Sequence, residues 1–337
     1  MARAIGCISG GLDSILAVRL IQRQGIDVVA LHAAHLWHPL PTDPAAKSPA
    51  PRAAEQLGVP LVIIDAADAD LDMVQHPAHG LGKRMNPCID CRIWVLRQAR
   101  RVMEEEGAAF VFTGEVLGQR PMSQHRQAME LIEQESGLAD LLVRPLSAQR
   151  LTPTKPERDG LLDRSRLMGI AGRSRKEQMA LARELGIAEY PSPAGGCLLT
   201  DPAFAFRLRE LMTHGAPTAA GVALLKVGRH FRLPDGTLAV VGCHQEDNLH
   251  LEPLFAPGDV RLEAADIPGP TTLLRGTATE ANVRTAAALT LRYTKTPPGQ
   301  VRRVDVTCVG GQPGAVEVAP ADDAQVRGCI VSPEGRP

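Results

Sequence analysis

"RAIGCISGGLDSILAVRL", residues 3–20, runs from an apolar stretch through two adjacent glycines into a helical pattern. Residues 3–8 read as a buried strand. From Ser14 to Gln24, Ile15, Val18, Leu20 and Ile21 give a helix its apolar side, and Gly25 fits its C-terminal cap. The turn between them, Ser9-Gly10-Gly11-Leu12-Asp13-Ser14, has the chemistry of an anion cradle. Glycines let backbone N–H groups approach an anion with no Cβ in the way, and a helix start adds its positive end. Ser9 and Ser14 offer hydroxyls to phosphate oxygens. The Asp13 carboxylate disfavours a bare phosphate and suits Mg²⁺ on a polyphosphate. The Walker lysine is absent, and the glycine spacing fails the dinucleotide fingerprint.

Strand and helix patterns keep alternating beyond this stretch. Residues 27–32 (DVVALH), 60–66 (PLVIIDA), 108–114 (AAFVFTG) and 140–146 (DLLVRPL) read as strands. A short helix includes residues 53–57, and a long one follows Cys91. The pattern predicts an α/β fold, a doubly wound parallel sheet. Loops after its strands share one edge, so Ser9–Ser14 and Thr113-Gly114 are expected there together. Ser174 to Glu177 reads as a capping box opening a helix to about Leu185. A Pro- and Gly-rich loop at 190–202 precedes a helix at 204–212. From about 220, short β-like runs between turn signals predict a second, smaller β-rich domain. The expected division is 1–205, a helical linker at 206–220, and 221–337.

Composition narrows the classes. The 337 residues are 44% hydrophobic, enough for ordinary cores, and no apolar run approaches the ~18 residues of a membrane span. No signal peptide is read. The formal charge of −1 requires any RNA contact to use a local patch, and 3% aromatics exclude extensive base-stacking platforms. Seven cysteines, an odd number with no export signal, indicate reduced thiols in the cytoplasm.

Cys88 and Cys91 lie in NPCIDCR at a helix start, which lowers thiolate pKa and suits metal ligation. Cys197 lies in the glycine-flanked PAGGCLLT. Three uses are open. The thiolates could hold three irons of a [4Fe-4S] cluster, leaving the fourth iron open. Cys197 could carry a persulfide that Cys91 or Cys88 resolves. A structural zinc could join Cys88 and Cys91 to His76 and His79. Cys7 reads as core.

Ser-Gly-Gly-x-Asp-Ser after a first strand resembles the PP-loop of the ATP pyrophosphatase superfamily, whose members adenylate a carbonyl oxygen and release pyrophosphate. The resemblance implies an adenine nucleotide alpha hydrolase-like sheet with Ser9, Gly10, Gly11, Asp13 and Ser14 on the pyrophosphate end of ATP. It puts Leu31 and His32 against adenine, and Thr113, Gly114, Glu115 and Gln119 at the nucleotide's border. With the PCxxC, the later GGC, VRPLSAQRLTPTKPE (143–157) and the following stretch, residues 1–210 resemble the tRNA thiolation enzymes. Within these, the stretches resemble a branch related to the ThiI-like 4-thiouridine synthetases. The region beyond about 220 resembles an NFACT-type RNA-binding module.

The resemblance implies ATP-dependent thiolation of tRNA, giving 4-thiouridine, with Asp13 and Cys197 in catalytic roles. It implies ATP, Mg²⁺ and a [4Fe-4S] cluster on Cys88, Cys91 and Cys197. The partners are tRNA and a sulfur donor, either free sulfide or a persulfide carrier, with no membrane. A homodimer stays open. The alternatives are 2-thiouridine at the wobble position, or an amide- or nitrile-forming PP-loop ligase with structural zinc. Between Arg144 and Glu177 nine Lys/Arg stand against four acids, an excess able to meet phosphates. Arg173, Arg175 and Lys176 are the expected RNA contacts.

Overall fold

The computed structural model describes residues 2–40, 49–191 and 197–333. It divides into two units: Met1–His38 with Ala45–Gly196, and Pro39–Pro44 with Cys197–Pro337. The glycines flanking Cys197 on its N-terminal side lie outside the described residues.

The first unit runs β1 (Arg3–Cys7), α1 (Leu12–Gln22), β2 (Asp27–Ala34), α2 (Pro49–Leu57), β3 (Leu61–Asp65) and α3 (Ala67–Gln75). It continues with α4 (Cys88–Glu105), β4 (Phe110–Thr113), α5 (Arg126–Glu135), β5 (Leu142–Val143), α6 (Lys155–Arg158) and α7 (Lys176–Glu184). Its five strands pair in parallel in the order β3-β2-β1-β4-β5. Successive strand residues point to opposite faces. Ala4, Val28, Ala30, Phe110 and Phe112 therefore pack with Ile15, Leu16 and Ile21 of α1 and Leu181 of α7. Ile5, Val29, Leu31 and Val111 pack with Ile93 and Leu96 of α4 and Ile132 of α5. The central strands β1, β2 and β4 are covered on both faces and mostly apolar, whereas β3 at the edge is partly exposed, Ile63 most of all. Phe110 and Phe112 are fully buried, and truncating either to Ala would cost about 3–5 kcal/mol. The strand order turns back between β1 and β4, and the crevice at their carboxyl ends is where such sheets bind ligands.

Local differences from the sequence reading have physical causes. The fifth strand is only Leu142–Val143, because Arg144 turns into buried ion pairs and Pro145 has no N–H for a ladder. The capping box at Ser174 does not form. Helix α7 opens at Lys176 with Arg175 as N-cap and no side-chain cap, while Ser174 Oγ only accepts the Lys176 N–H at 3.4 Å. Arg175 is turned instead toward Asp13.

The second unit holds α8 (Pro202–Thr213), α9 (Ala219–Leu224), β6 (Arg229–Arg232), β7 (Leu238–Val241), α10 (Gln245–Leu251) and β8 (Val260–Ala264). Then come β9 (Thr272–Arg275), α11 (Glu280–Arg292), β10 (Arg302–Cys308), β11 (Pro313–Val318) and α12 (Asp323–Cys329). Its six strands are antiparallel, in the order β11-β10-β8-β9-β7-β6. Phe231, Val241, Leu262 and Leu274 pack on Ala286, Leu289 and Leu291 of α11. The sequence reading ended the first domain at 205; the structure divides after Gly196. Asp201 caps α8, and Glu210 of α8 receives a bidentate pair from Arg232 of β6 at 2.6 and 2.9 Å. Helix α8 therefore packs within the second unit. Among the described residues no helix is long and apolar enough to cross a membrane.

Candidate active site

Gly10 adopts φ +77°, and a Cβ there would stand 2.3 Å from the carbonyl carbon of Pro49. Only glycine fits that turn. Ser14 Oγ donates to Gly11 O at 2.8 Å and accepts the Ser9 N–H at 3.4 Å, while Ser9 Oγ accepts the Gly11 N–H at 3.4 Å. Helix α1 opens on Gly11 without a side-chain cap, which leaves its first N–H groups for an anion.

The loop after β4 leans directly on this turn. A Cβ on Gly114 would lie 2.6 Å from the Asp13 carbonyl group. Gln119 Nε2 donates to Asp13 Oδ2 at 3.0 Å, and Arg175 Nη2 lies 3.6 Å from the same oxygen. Asp13 Oδ1, Arg175 Nε and both amide atoms of Gln178 are buried with no hydrogen-bond partner. Buried polar groups are rarely left this way, and a Mg²⁺–polyphosphate would satisfy the carboxylate and guanidinium. The residues present therefore fit Mg²⁺ and ATP. Leu31 is buried, and its carbonyl accepts the Ile8 N–H at 2.8 Å. His32 Nδ1–H donates to Ile8 O at 3.0 Å, and burial lowers its pKa. Both residues thus hold the end of β1.

Cys88 and Cys91 begin α4, both half-buried, and none of the seven cysteines is in a disulfide. Cys88 Sγ–H donates to Ser123 Oγ at 3.3 Å, and Cys91 Sγ meets His35 Nε2 at 3.7 Å. Next to them, Arg92 Nε lies 3.6 Å from Glu115 Oε1, two residues beyond Thr113. Glu115 is buried, and its Oε2 accepts from Thr113 Oγ1 at 3.1 Å and Arg144 Nε at 3.3 Å. The thiol helix is thereby tied to the loop after β4 through one carboxylate. Cys7 is partly buried and packs against the core layer beside Ile5 and Leu31, and burial pushes its thiol up to about 12.

Cys197 opens the second unit, ahead of α8. Among the described residues no group of three His, Cys, Asp or Glu side chains is placed to hold a metal. The zinc arrangement with His76 and His79 meets a specific obstacle. His76 pairs with Asp72, and His79 bridges Asp90 at 2.7 Å and Glu135 at 3.0 Å, which raise its pKa. The donor chemistry of Cys88 and Cys91, two soft thiols one turn apart at a helix N-terminus beside Arg92, fits a soft metal centre. His35 was not singled out in the sequence. Its only signal there is the spacing of His32, His35 and His38.

The expected RNA cations separate. Arg173 and Lys176 are exposed, whereas Arg175 is half-buried and faces Asp13. Most of the basic stretch before them is consumed internally. Arg144 pairs with Glu115 and Glu133, Lys155 with Asp159, Arg158 with Asp140 and Arg164 with Glu157.

This fold, a parallel five-stranded sheet with a glycine turn at the β1–β4 switch point, is a PP-loop-like α/β architecture. Residues 1–149 match the family model described as thiamine biosynthesis protein (ThiI), and residues 228–328 match that of the NFACT protein RNA binding domain. The two matches follow one another along the chain, the first on the parallel-sheet unit and the second within the antiparallel-sheet unit. Curated relatives are tRNA-specific 2-thiouridylases MnmA. That of Thermobifida fusca (strain YX) is 24% identical over 213 residues, 59% of this chain and 54% of that protein. That of Nitratidesulfovibrio vulgaris is 35% identical over 124 residues, 33% of this chain and 34% of that protein. The chain thus spans between a third and just over a half of these relatives' length. Among solved structures, a 4-thiouridine synthetase–RNA complex with bound ATP is 18% identical with a TM-score of 0.38, covering 67% of this chain and 52% of that one. The U34-tRNA thiolase NcsA from Methanococcus maripaludis with its [4Fe-4S] cluster is 16% identical with a TM-score of 0.31, covering 67% and 70%.

Proposed function

We propose that this protein is an ATP-dependent tRNA sulfurtransferase that converts a uridine carbonyl to a thiocarbonyl. The observation that carries the reading is one shared sheet edge. The anion loop at Ser9–Ser14 and the thiols Cys88 and Cys91 both lie at it, joined through Arg92 and Glu115. An activation site and a sulfur site so close suit a reaction whose activated intermediate must not meet water.

A uracil carbonyl oxygen is a poor leaving group. In the first step it attacks the α-phosphorus of ATP, the α–β bridging bond breaks, and pyrophosphate leaves. The N–H groups of the Gly10–Gly11 turn and the hydroxyls of Ser9 and Ser14 hold the departing pyrophosphate. Asp13, whose Oδ1 is buried without a hydrogen-bond partner, would hold a Mg²⁺ that neutralises the polyphosphate, and Arg175 turns its charge to the phosphates. Leu31 and His32 border adenine, with Thr113, Gly114 and Gln119 closing the nucleotide's other side. In the second step a hydrosulfide-class nucleophile attacks the activated carbon, its proton is lost, and AMP leaves. Cys88, Cys91 and Cys197 would hold a [4Fe-4S] cluster, which would supply an open iron for sulfide. Arg173 and Lys176, together with the NFACT-type unit, contact RNA phosphates.

The ThiI match favours 4-thiouridine as product; 2-thiouridine is the second reading, favoured by the curated relatives. The test is pyrophosphate release by the full chain with MgATP, with and without tRNA. Release that depends on tRNA supports thiolation. Release driven by ammonia and a small acid, indifferent to tRNA, would instead identify a ligase.

A further inference from the structure

The face of α7 that meets α1 carries a polar group that the proposed reaction leaves unused. Leu181 and Ala182 of α7 pack with Ile15 and Leu16 of α1. Gln178 stands one turn before them and Arg175 one turn before that, so these positions share a face. Arg175 ends the row at the glycine turn, with Nη2 3.6 Å from Asp13 Oδ2. Gln178 is completely buried, yet neither its Oε1 nor its Nε2 has a hydrogen-bond partner. Arg175 Nε is buried and unpartnered as well. Arg175 is the N-cap of α7 and Gln178 its third residue, the spacing at which a glutamine side chain reaches back to the cap residue. Here the amide makes no such bond, so helix capping does not account for it. A buried amide left unpaired costs stability that an apolar side chain of the same shape would not. The Arg175 Nε–H is a donor and Gln178 Oε1 an acceptor, so the two unpaired groups, one turn apart, are complementary.

We propose that Gln178 is a positioning residue for Arg175. With MgATP at the Ser9–Ser14 turn, Gln178 Oε1 accepts the Arg175 Nε–H and holds the guanidinium with its Nη nitrogens toward the polyphosphate. Gln178 acts through Arg175 and touches no substrate itself. This role rests on the nucleotide reading of the glycine turn and is independent of the sulfur chemistry and of tRNA.

The experiment titrates the full chain with MgATP in a calorimeter for wild type, Gln178→Met, Arg175→Ala and the double variant, and takes each melting temperature without nucleotide. Gln178→Met keeps the shape and removes both polar atoms, so its nucleotide-free melting temperature should equal or exceed that of the wild type. Its MgATP affinity should nevertheless fall about tenfold, the loss expected for one hydrogen bond to a charged group. In the Arg175→Ala background the same exchange should change affinity by less than about twofold, because the group it orients is gone. Gln178→Leu is the second variant. If neither apolar variant folds, arginine-selective magnetic resonance spectra of the wild type decide: the Arg175 Nε–H signal, assigned by its loss in Arg175→Lys, should become protected from solvent exchange when MgATP is added. Unchanged affinity in folded Gln178→Met, an equal loss in both backgrounds, or an Arg175 signal that MgATP leaves unprotected would overturn the inference while the nucleotide reading stands. A wild type that binds no MgATP would overturn both. Normal coupling between Gln178 and Arg175 without any tRNA thiolation would uphold the inference and overturn the sulfurtransferase reading alone.

Discussion

Gln119 Nε2 donates to Asp13 Oδ2 across 3.0 Å, tying the loop after β4 to the first turn of α1. One carboxylate oxygen is thereby oriented while Oδ1 stays buried and unpartnered. Asp13→Asn should keep the fold but lose Mg²⁺-dependent pyrophosphate release by at least a hundredfold, as expected when a metal-holding charge is removed. Gln119→Ala removes one hydrogen bond to a charged group, about 1.5–3 kcal/mol, and should cost roughly ten- to a hundredfold. Pyrophosphate assays at varied Mg²⁺ check both. A fully active Asp13→Asn would contradict the Mg²⁺ role.

Gly10 and Gly114 are constrained by backbone rather than by side chains. Gly10→Ala places a methyl 2.3 Å from the Pro49 carbonyl carbon in a left-handed turn, and Gly114→Ala places one 2.6 Å from the Asp13 carbonyl group. The left-handed conformation alone costs about 1–2 kcal/mol. Each variant should lower the melting temperature and weaken ATP binding at least tenfold, read by thermal shift with and without MgATP. Unchanged ATP affinity would mean that the turn does not hold the nucleotide.

Arg175 should behave unlike its neighbours. Arg173→Ala and Lys176→Ala should each reduce the slope of log K against log salt for RNA binding by about one, with ATP affinity unchanged. Arg175→Ala should leave that slope alone and weaken ATP binding, because its guanidinium sits 3.6 Å from Asp13 Oδ2. Filter binding across a salt series separates the two behaviours.

His230 gives the second unit a pH dependence. It is fully buried in β6, and Nε2 faces the carbonyls of Leu224 at 3.1 Å and Val227 at 3.0 Å. Burial, with the Arg207 charge adding to it, takes its pKa down to about 3. Between that value and the ordinary ~6.5 the unfolded chain binds a proton that the folded chain does not. Stability should therefore fall as pH drops through this window, by at most ~1.4 kcal/mol per pH unit, and level off below it. Hydrogen exchange of β6 and β7 at pH 7 and pH 5 should show the loss, and His230→Gln should flatten it.

Several parts of this structure were legible in the sequence. Alternating apolar runs and glycine punctuation gave the parallel sheet, and the strand–SGGLDS–helix order placed that glycine turn at a carboxyl edge. Cys7 was readable as packing on the core because it lies on a strand of apolar neighbours. Other features depended on tertiary contacts. Arg175 looked like an RNA contact because its neighbours Arg173 and Lys176 are exposed, and only the packing of α7 on α1 turns it inward. The basic excess before it is largely paired with acids that lie near in space. Asp70 and His35 are 35 residues apart, so their pairing with Cys91 has no local pattern. The capping box at Ser174 matched its motif and still gave way to an ion pair.

The central claim is that activation by ATP serves sulfur transfer to tRNA. Its most direct test incubates full chain, MgATP, sulfide and unmodified tRNA without oxygen, then digests the RNA and identifies its nucleosides by mass spectrometry. The account predicts thiouridine in amounts matching the AMP released, and none with Asp13→Asn. Pyrophosphate and AMP released while every uridine stays unthiolated would contradict it.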